Sequence, residues 1–102
     1  MNLSSSQKKY LKKLAHKLSP VVFIGQQGLS EAVMAATDQA LNDHELIKVK
    51  FNEFKDKTQK RALSDALAQN AAAVKVAMIG HIVTFYRPHP DPQKRKVRLP
   101  QD

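Results

Sequence analysis

At 102 residues and without a cysteine, the chain has room for one domain that buries about two-thirds of its unfolded surface, and disulfide staples and thiolate metal sites are excluded. No apolar run reaches the ~20 residues of a membrane span, and the N-terminus has no apolar signal core, so a cytoplasmic location is expected. The formal net charge of +8 sits at the two ends: residues 1–17 hold five lysines and no acid, residues 86–102 hold five Lys or Arg against two Asp, and the middle balances seven against seven.

The opening stretch SSSQKKYLKKLAHKL predicts an amphipathic helix capped at Ser4 or Ser5. Leu11, Leu14, Ala15 and Leu18 recur at i, i+3, i+4, i+7 as an apolar stripe, while Lys8, Lys9, Lys12, Lys13, His16 and Lys17 sweep the opposite side. Such a helix buries one face and turns a comb of ammonium groups outward. Lysines without intervening Glu repel one another on a helix. A polyanionic partner, nucleic acid foremost, relieves that repulsion and releases counterions, whereas solubility alone requires no such asymmetry.

Pro20 ends the helix, and the all-apolar run VVFI predicts a strand buried on both faces. Gly25-Gln26-Gln27-Gly28 then leads into a second helix capped by Ser30, with Val33, Met34, Thr37, Ala40 and Leu41 at helical spacing to about Asn42. ELIKVKFN alternates, placing Ile47, Val49 and Phe51 on one side of a second strand and Lys48 and Lys50 on the other. Asp56 and Gln59 have capping-box spacing ahead of a third helix striped by Leu63, Ala66 and Leu67. AVKVAMIGHIVTFY predicts two strands joined by the two-residue turn Gly80-His81. RPHPDPQKRKVRLPQD, with four prolines and clustered charge, reads as an extended arm ordered mainly by its partner.

The order α-β-α-β-α-β-β predicts an α/β fold of two layers with a mixed four-stranded sheet, in which crossovers build a parallel core and the terminal hairpin adds one antiparallel neighbour. Residues 1–86 form the domain and 87–102 a basic, Pro-rich arm.

Two of the three glycines stand in GQQG. Glycines let a backbone approach a sugar-phosphate strand closely, as in the GXXG loops of KH-type RNA-binding modules, and a helix N-terminus attracts phosphate. The same spacing also serves as a plain tight turn; the preceding Lys-faced helix favours the clamp. Gln26 and Gln27 would contribute hydrogen bonds. Lys48, Lys50 and Lys75 could form a second basic surface with Tyr86, or a solvated sheet face. Arg87 could reach a phosphate or pair with an acid of the fold. His16, His44, His81 and His89 lack the i, i+4 pairing of a hydrolytic zinc site and have no evident acid–base partner. No catalysis, metal, cofactor or small-molecule substrate is expected. A double-stranded DNA-binding module would need Asn, Gln or Arg on a recognition helix, and the first helix offers mainly Lys.

LAHKLSPVVFIGQQGLSEAV, ALNDHELIKVKF and VAMIGHIVTFYRP, in this order and spacing over about residues 3–88, resemble the YhbY-like proteins, the stand-alone bacterial form of the CRM (chloroplast RNA splicing and ribosome maturation) domain. The resemblance implies a fold like the C-terminal domain of bacterial translation initiation factor three. It also implies RNA binding without catalysis and association with ribosomal RNA in precursors of the large ribosomal subunit. The contact surface so implied is the loop Gly25, Gln26, Gln27 and Gly28 with the basic first helix. Many relatives carry Lys inside that loop, where this chain has Gln26 and Gln27. The candidate RNA-binding residues are thus Lys8, Lys9, Lys12, Lys13, Lys17, Gly25, Gln26, Gln27, Gly28 and Arg87, in a protein expected to be monomeric; a DNA-binding module and an RNA-processing enzyme are the alternatives.

Overall fold

A computed structural model describes residues 2–53 and 56–101 of the chain. The first helix, α1 (Ser5–Ala15), starts where the Ser4 hydroxyl accepts the Gln7 N–H at 3.1 Å and the Gln7 side-chain oxygen accepts the Ser4 N–H at 3.0 Å. These reciprocal bonds satisfy two donors that a helix start leaves orphaned. A short strand β1 (Val22–Ile24) follows, then α2 (Glu31–His44), β2 (Leu46–Phe51), α3 (Lys57–Asn70), β3 (Val74–Ile79), β4 (Ile82–Tyr86) and a 3-10 turn at Pro92–Lys94. Ser30 caps α2 through the Val33 N–H, and the Asp56 carboxylate caps α3 through the N–H groups of Thr58 and Gln59.

The four strands form one mixed sheet in the order β1-β2-β4-β3. Only β1 and β2 pair in parallel; β4 pairs antiparallel with both β2 and β3. The terminal hairpin therefore folds back into the sheet and separates β2 from β3, where a parallel core with a single antiparallel neighbour was expected. Local pattern identifies strands, whereas pairing is decided by which side chains meet across the sheet. The turn is the expected one: Ile79 faces Ile82, and Gly80 between them takes φ +60, the conformation a first-position glycine supplies in a hairpin.

The alternation of β2 sorts side chains onto two faces. Ile47, Val49 and Phe51 join Val22, Ile24, Val83 and Phe85 beneath α2 and α3, packed against Leu41, Leu67 and Ala71. Each such fully buried side chain contributes about 1.5–3 kcal/mol. On the opposite face, Leu46, Val76 and Tyr86 pack with Leu11 and Ala15 of α1 and with Val97 and Leu99 from the chain after β4. The two-layer expectation describes α2, α3 and the sheet, and α1 with the C-terminal segment adds partial cover on the far face. The VVFI run also departs from expectation. It is an edge strand, with Val22 and Ile24 buried but Val21 48% and Phe23 51% exposed, because one flank of β1 has no neighbouring strand and α1 packs on β2 and β3.

The C-terminal segment is held by the domain itself, not left for a partner to order. The buried Glu45 carboxylate accepts the backbone N–H groups of His89 at 2.7 Å and Val97 at 2.8 Å, and that of Lys96. The Gln7 amide donates to the Pro100 carbonyl at 3.1 Å, tying the segment's end to α1.

Candidate nucleic-acid interface

Lys8, Lys9, Lys12, Lys13 and Lys17 are all exposed, but α1 ends at Ala15, so Lys17 stands in the turn after the helix and not on the helical face expected for it. Burial of Leu11 and Ala15 fixes the rotation of the helix. The flank carrying Tyr10, Leu14 and Leu18 turns toward His44, Leu46 and Val97, where it lines an apolar groove of about 580 Å³ at the end of the sheet where β2 begins. By helical geometry, the flank of Lys8 and Lys12 then faces the other way, toward the end where β2 finishes. Among the described residues the ion pairs join Lys75 to Asp65 and Arg87 to Asp38, and none engages an α1 lysine. Among the described residues no acid compensates that comb of charge.

The glycine loop lies beyond the other end of the sheet. Gly28 donates to the Gly25 carbonyl at 3.0 Å, closing a tight turn, and Gly28 takes φ +64, a conformation that disfavours any residue with a Cβ. Nothing in the fold requires Gly25 to be small: a Cβ built there would meet nothing within 4 Å. Its Cα side faces open space, whereas Gly28 is buried. Gln26 and Gln27 are exposed on the turn. The N-terminus of α2 beside this loop is already occupied electrostatically, since Ser30 caps it and Glu31 stands in its first turn. That helix end therefore offers little attraction to an anion.

The helix and the loop stand toward opposite ends of β2. Helix α1 packs over Leu46 and Tyr86, partners at the start of β2, whereas the loop follows Ile24, whose partner is Phe51 at its finish. Five residue steps separate those ends, about 17 Å of strand. The strip between them displays Lys48, partly exposed, and Lys50, exposed. Lys75 is not part of this strip. It bonds Ser64 and pairs with Asp65 on α3, across the sheet, and Tyr86 is 1% exposed.

Arg87 is committed inside the fold, the second of the two roles open to it. Its guanidinium donates to the Asp38 carboxylate at 2.8 Å, the Ala71 carbonyl at 2.7 Å, the Asp38 carbonyl at 3.0 Å and the Asn42 side chain at 2.8 Å. It joins the second half of α2 and the C-cap of α3 to the end of the last strand. The histidines serve local ends: His89 accepts the Asp91 N–H, and His81 meets the Lys60 ammonium, which also donates to the Gly80 carbonyl at 2.9 Å. Among the described residues no group of three or more His, Cys, Asp or Glu could hold a metal ion, and no helix is long and apolar enough to cross a membrane.

Glu45 escaped the sequence reading. It ends α2 at φ +66, a region that costs a residue with a side chain about 1–3 kcal/mol. Burial pushes its carboxyl up, but the N–H groups of His89, Val97 and Lys96, with the nearby His89 ring, outweigh burial and hold it below its ordinary 4.5.

A basic helix on one sheet face, an open glycine turn at the sheet's end and an internally clamped C-terminal segment define an α/β module of distinct type. The family model described as the CRS1 / YhbY (CRM) domain matches residues 3–87, and the chain belongs to that family. An RNA-binding protein of Haemophilus influenzae is 44% identical over 99 residues, 97% of this chain and 96% of that protein. A protein of Pseudomonas aeruginosa, named a probable RNA-binding protein, is 42% identical over 92% of this chain and 89% of its own. The solution structure of a Staphylococcus aureus protein suspected of binding RNA superposes with a TM-score of 0.77 at 33% identity, covering 97% of this chain and all of that one.

The open space beside the Gly25 Cα carries a prediction. Gly25→Val should leave the melting temperature nearly unmoved, as exposed substitutions alter stability by about 0.5 kcal/mol or less. The same change should weaken RNA affinity by about tenfold, because a branched side chain would hold a sugar-phosphate strand off the turn; about 1.4 kcal/mol of lost contact suffices. Equal affinity for RNA in a filter-binding titration would remove the loop from the interface.

Proposed function

We propose that this protein binds ribosomal RNA in precursors of the large ribosomal subunit and assists assembly in the cytoplasm as a monomer, by recognising backbone and shape, without turnover. The observation that carries the reading is the set of four exposed α1 lysines, with the exposed Lys17 in the turn just after the helix, unpaired with any described acid, in a chain whose relatives are named for RNA binding. Lys8, Lys9, Lys12, Lys13 and Lys17 would neutralise phosphates. The turn Gly25, Gln26, Gln27 and Gly28 would meet the sugar-phosphate chain further along, with Lys48 and Lys50 between. Arg87 supports the fold and is left out of the surface.

Binding of this kind loses affinity steeply with salt. Four to five neutralised phosphates predict a slope of log K against log salt of about −3 to −4. Titrating fragments of large-subunit ribosomal RNA at several salt concentrations, with duplex DNA as competitor, tests the reading. A slope near zero, or DNA binding as tightly as folded RNA at equal salt, would overturn it.

A further inference from the structure

On the sheet face opposite α2 and α3, paired residues form rungs, because partners in register point to the same side. The first rung, Leu46 with Tyr86, lies under α1, and the second, Lys48 with Thr84 and Ala77, is partly covered, Thr84 being only 6% exposed. The third runs across the whole sheet: Phe23 faces Lys50, Lys50 faces Ile82, and Ile82 faces Ile79. This rung is open. Phe23 is 51% and Ile79 78% exposed, and Lys50 is exposed beside the ring. Among the described residues Phe23 is the aromatic side chain most open to solvent, and no carboxylate stands in the second or third rung.

An exposed ring on an edge strand is a liability in itself, since edges invite unwanted pairing. Its neighbours here are ammonium groups. That combination of a flat apolar surface flanked by positive charge matches a nucleobase with its phosphates, and it does not match a purely apolar peptide. Two residues after the ring stands Gly25, with no side chain to crowd whatever lies against it.

We propose that Phe23 is a stacking platform for an unpaired base of the bound RNA, with Lys48 and Lys50 holding the phosphates on either side. The inference rests on the RNA-binding reading above and sharpens it: the target is single-stranded or looped RNA, not uninterrupted duplex.

Phe23→Trp offers a direct readout, because the chain has no tryptophan and all indole emission would come from this position. Emission should be quenched on titration with an unstructured ten-nucleotide RNA and remain unchanged with a blunt RNA duplex of equal length. Phe23→Ala should lower affinity for the unstructured RNA by about 10- to 100-fold, Phe23→Tyr should retain it, and the Ala variant should melt close to the parent. Undiminished affinity of Phe23→Ala, with indole emission unquenched in Phe23→Trp, would overturn the inference while leaving RNA binding intact. Sedimentation equilibrium showing a dimer that Phe23→Ala dissociates would also overturn it, making a second copy the occupant. Failure of the parent protein to bind any of the RNAs would sink the underlying reading instead.

Discussion

Replacing Lys8, Lys9, Lys12 and Lys13 together by Glu should reduce affinity for ribosomal RNA fragments by about 100-fold or more near 0.1 M salt. Each substitution removes one positive charge and adds one negative, so the formal net charge falls from +8 to zero. A single exposed ion pair is worth about 0.2–1 kcal/mol, and four lost attractions with four new repulsions at the middle of that range come to about 5 kcal/mol, above the roughly 2.7 kcal/mol of two decades. The helix should survive. Its buried residues are Leu11 and Ala15, its cap is Ser4, and the four lysines are exposed. The like-charge spacing at i, i+4 is the same with Glu as with Lys. Circular dichroism and the melting temperature check that, and the salt slope of the remaining binding should flatten. Unaltered affinity in a folded variant would exclude α1 from the interface and leave the loop and the sheet strip to carry it.

Much of the fold could be read along the chain because its determinants are short-range. Ser4, Ser30 and Asp56 cap helices three or fewer residues away, and Gly80 needs only its own positive φ to turn the hairpin. The insertion of β4 between β2 and β3 was not legible, since the alternating pattern of β2 would suit either neighbour. VVFI shows why apolar runs mislead: four apolar residues fit a central strand or an edge strand equally, and only the sheet order exposes Phe23. Candidate site residues divide along the same line. The lysine face follows from helical periodicity alone, whereas the placement of the glycine turn relative to that face depends on where α1 packs. Arg87 and Glu45 depend on partners far off in sequence, Asp38 for one and the N–H groups of residues 89, 96 and 97 for the other. The last segment was misread because its prolines and charges outweigh two apolar residues. Val97 and Leu99, two apart as on an extended chain, were the trace of a packed face.

Loss of the Glu45 carboxylate should release that segment. In Glu45→Ala, three backbone N–H groups lose a charged acceptor, each such bond contributing about 1.5–3 kcal/mol. Once residues 88–101 detach, the face formed by Leu11, Leu46, Val76 and Tyr86 loses the cover of Val97 and Leu99. We expect the melting temperature to drop by about 10 °C or more, as 1 kcal/mol shifts a domain of this size by about 4–8 °C. Trypsin should cut first after Lys94, Arg95, Lys96 and Arg98, before the sheet opens. Glu45→Gly separates backbone from side chain. It relieves the strain of φ +66 yet removes the carboxylate, so it should be equally sensitive to trypsin but melt somewhat higher than the Ala variant. The same clamp predicts an acid transition. Because the folded carboxyl lies below its ordinary 4.5, its contribution is fully present above that pH and fades as pH falls through the lower, folded value. Protection of the His89, Lys96 and Val97 amides, taken against their intrinsic exchange rates, should therefore fall in the parent protein as pH drops below the ordinary carboxylate value. In Glu45→Ala it should be absent at every pH, and protection of those amides surviving the substitution would show that the apolar contacts alone hold the segment down.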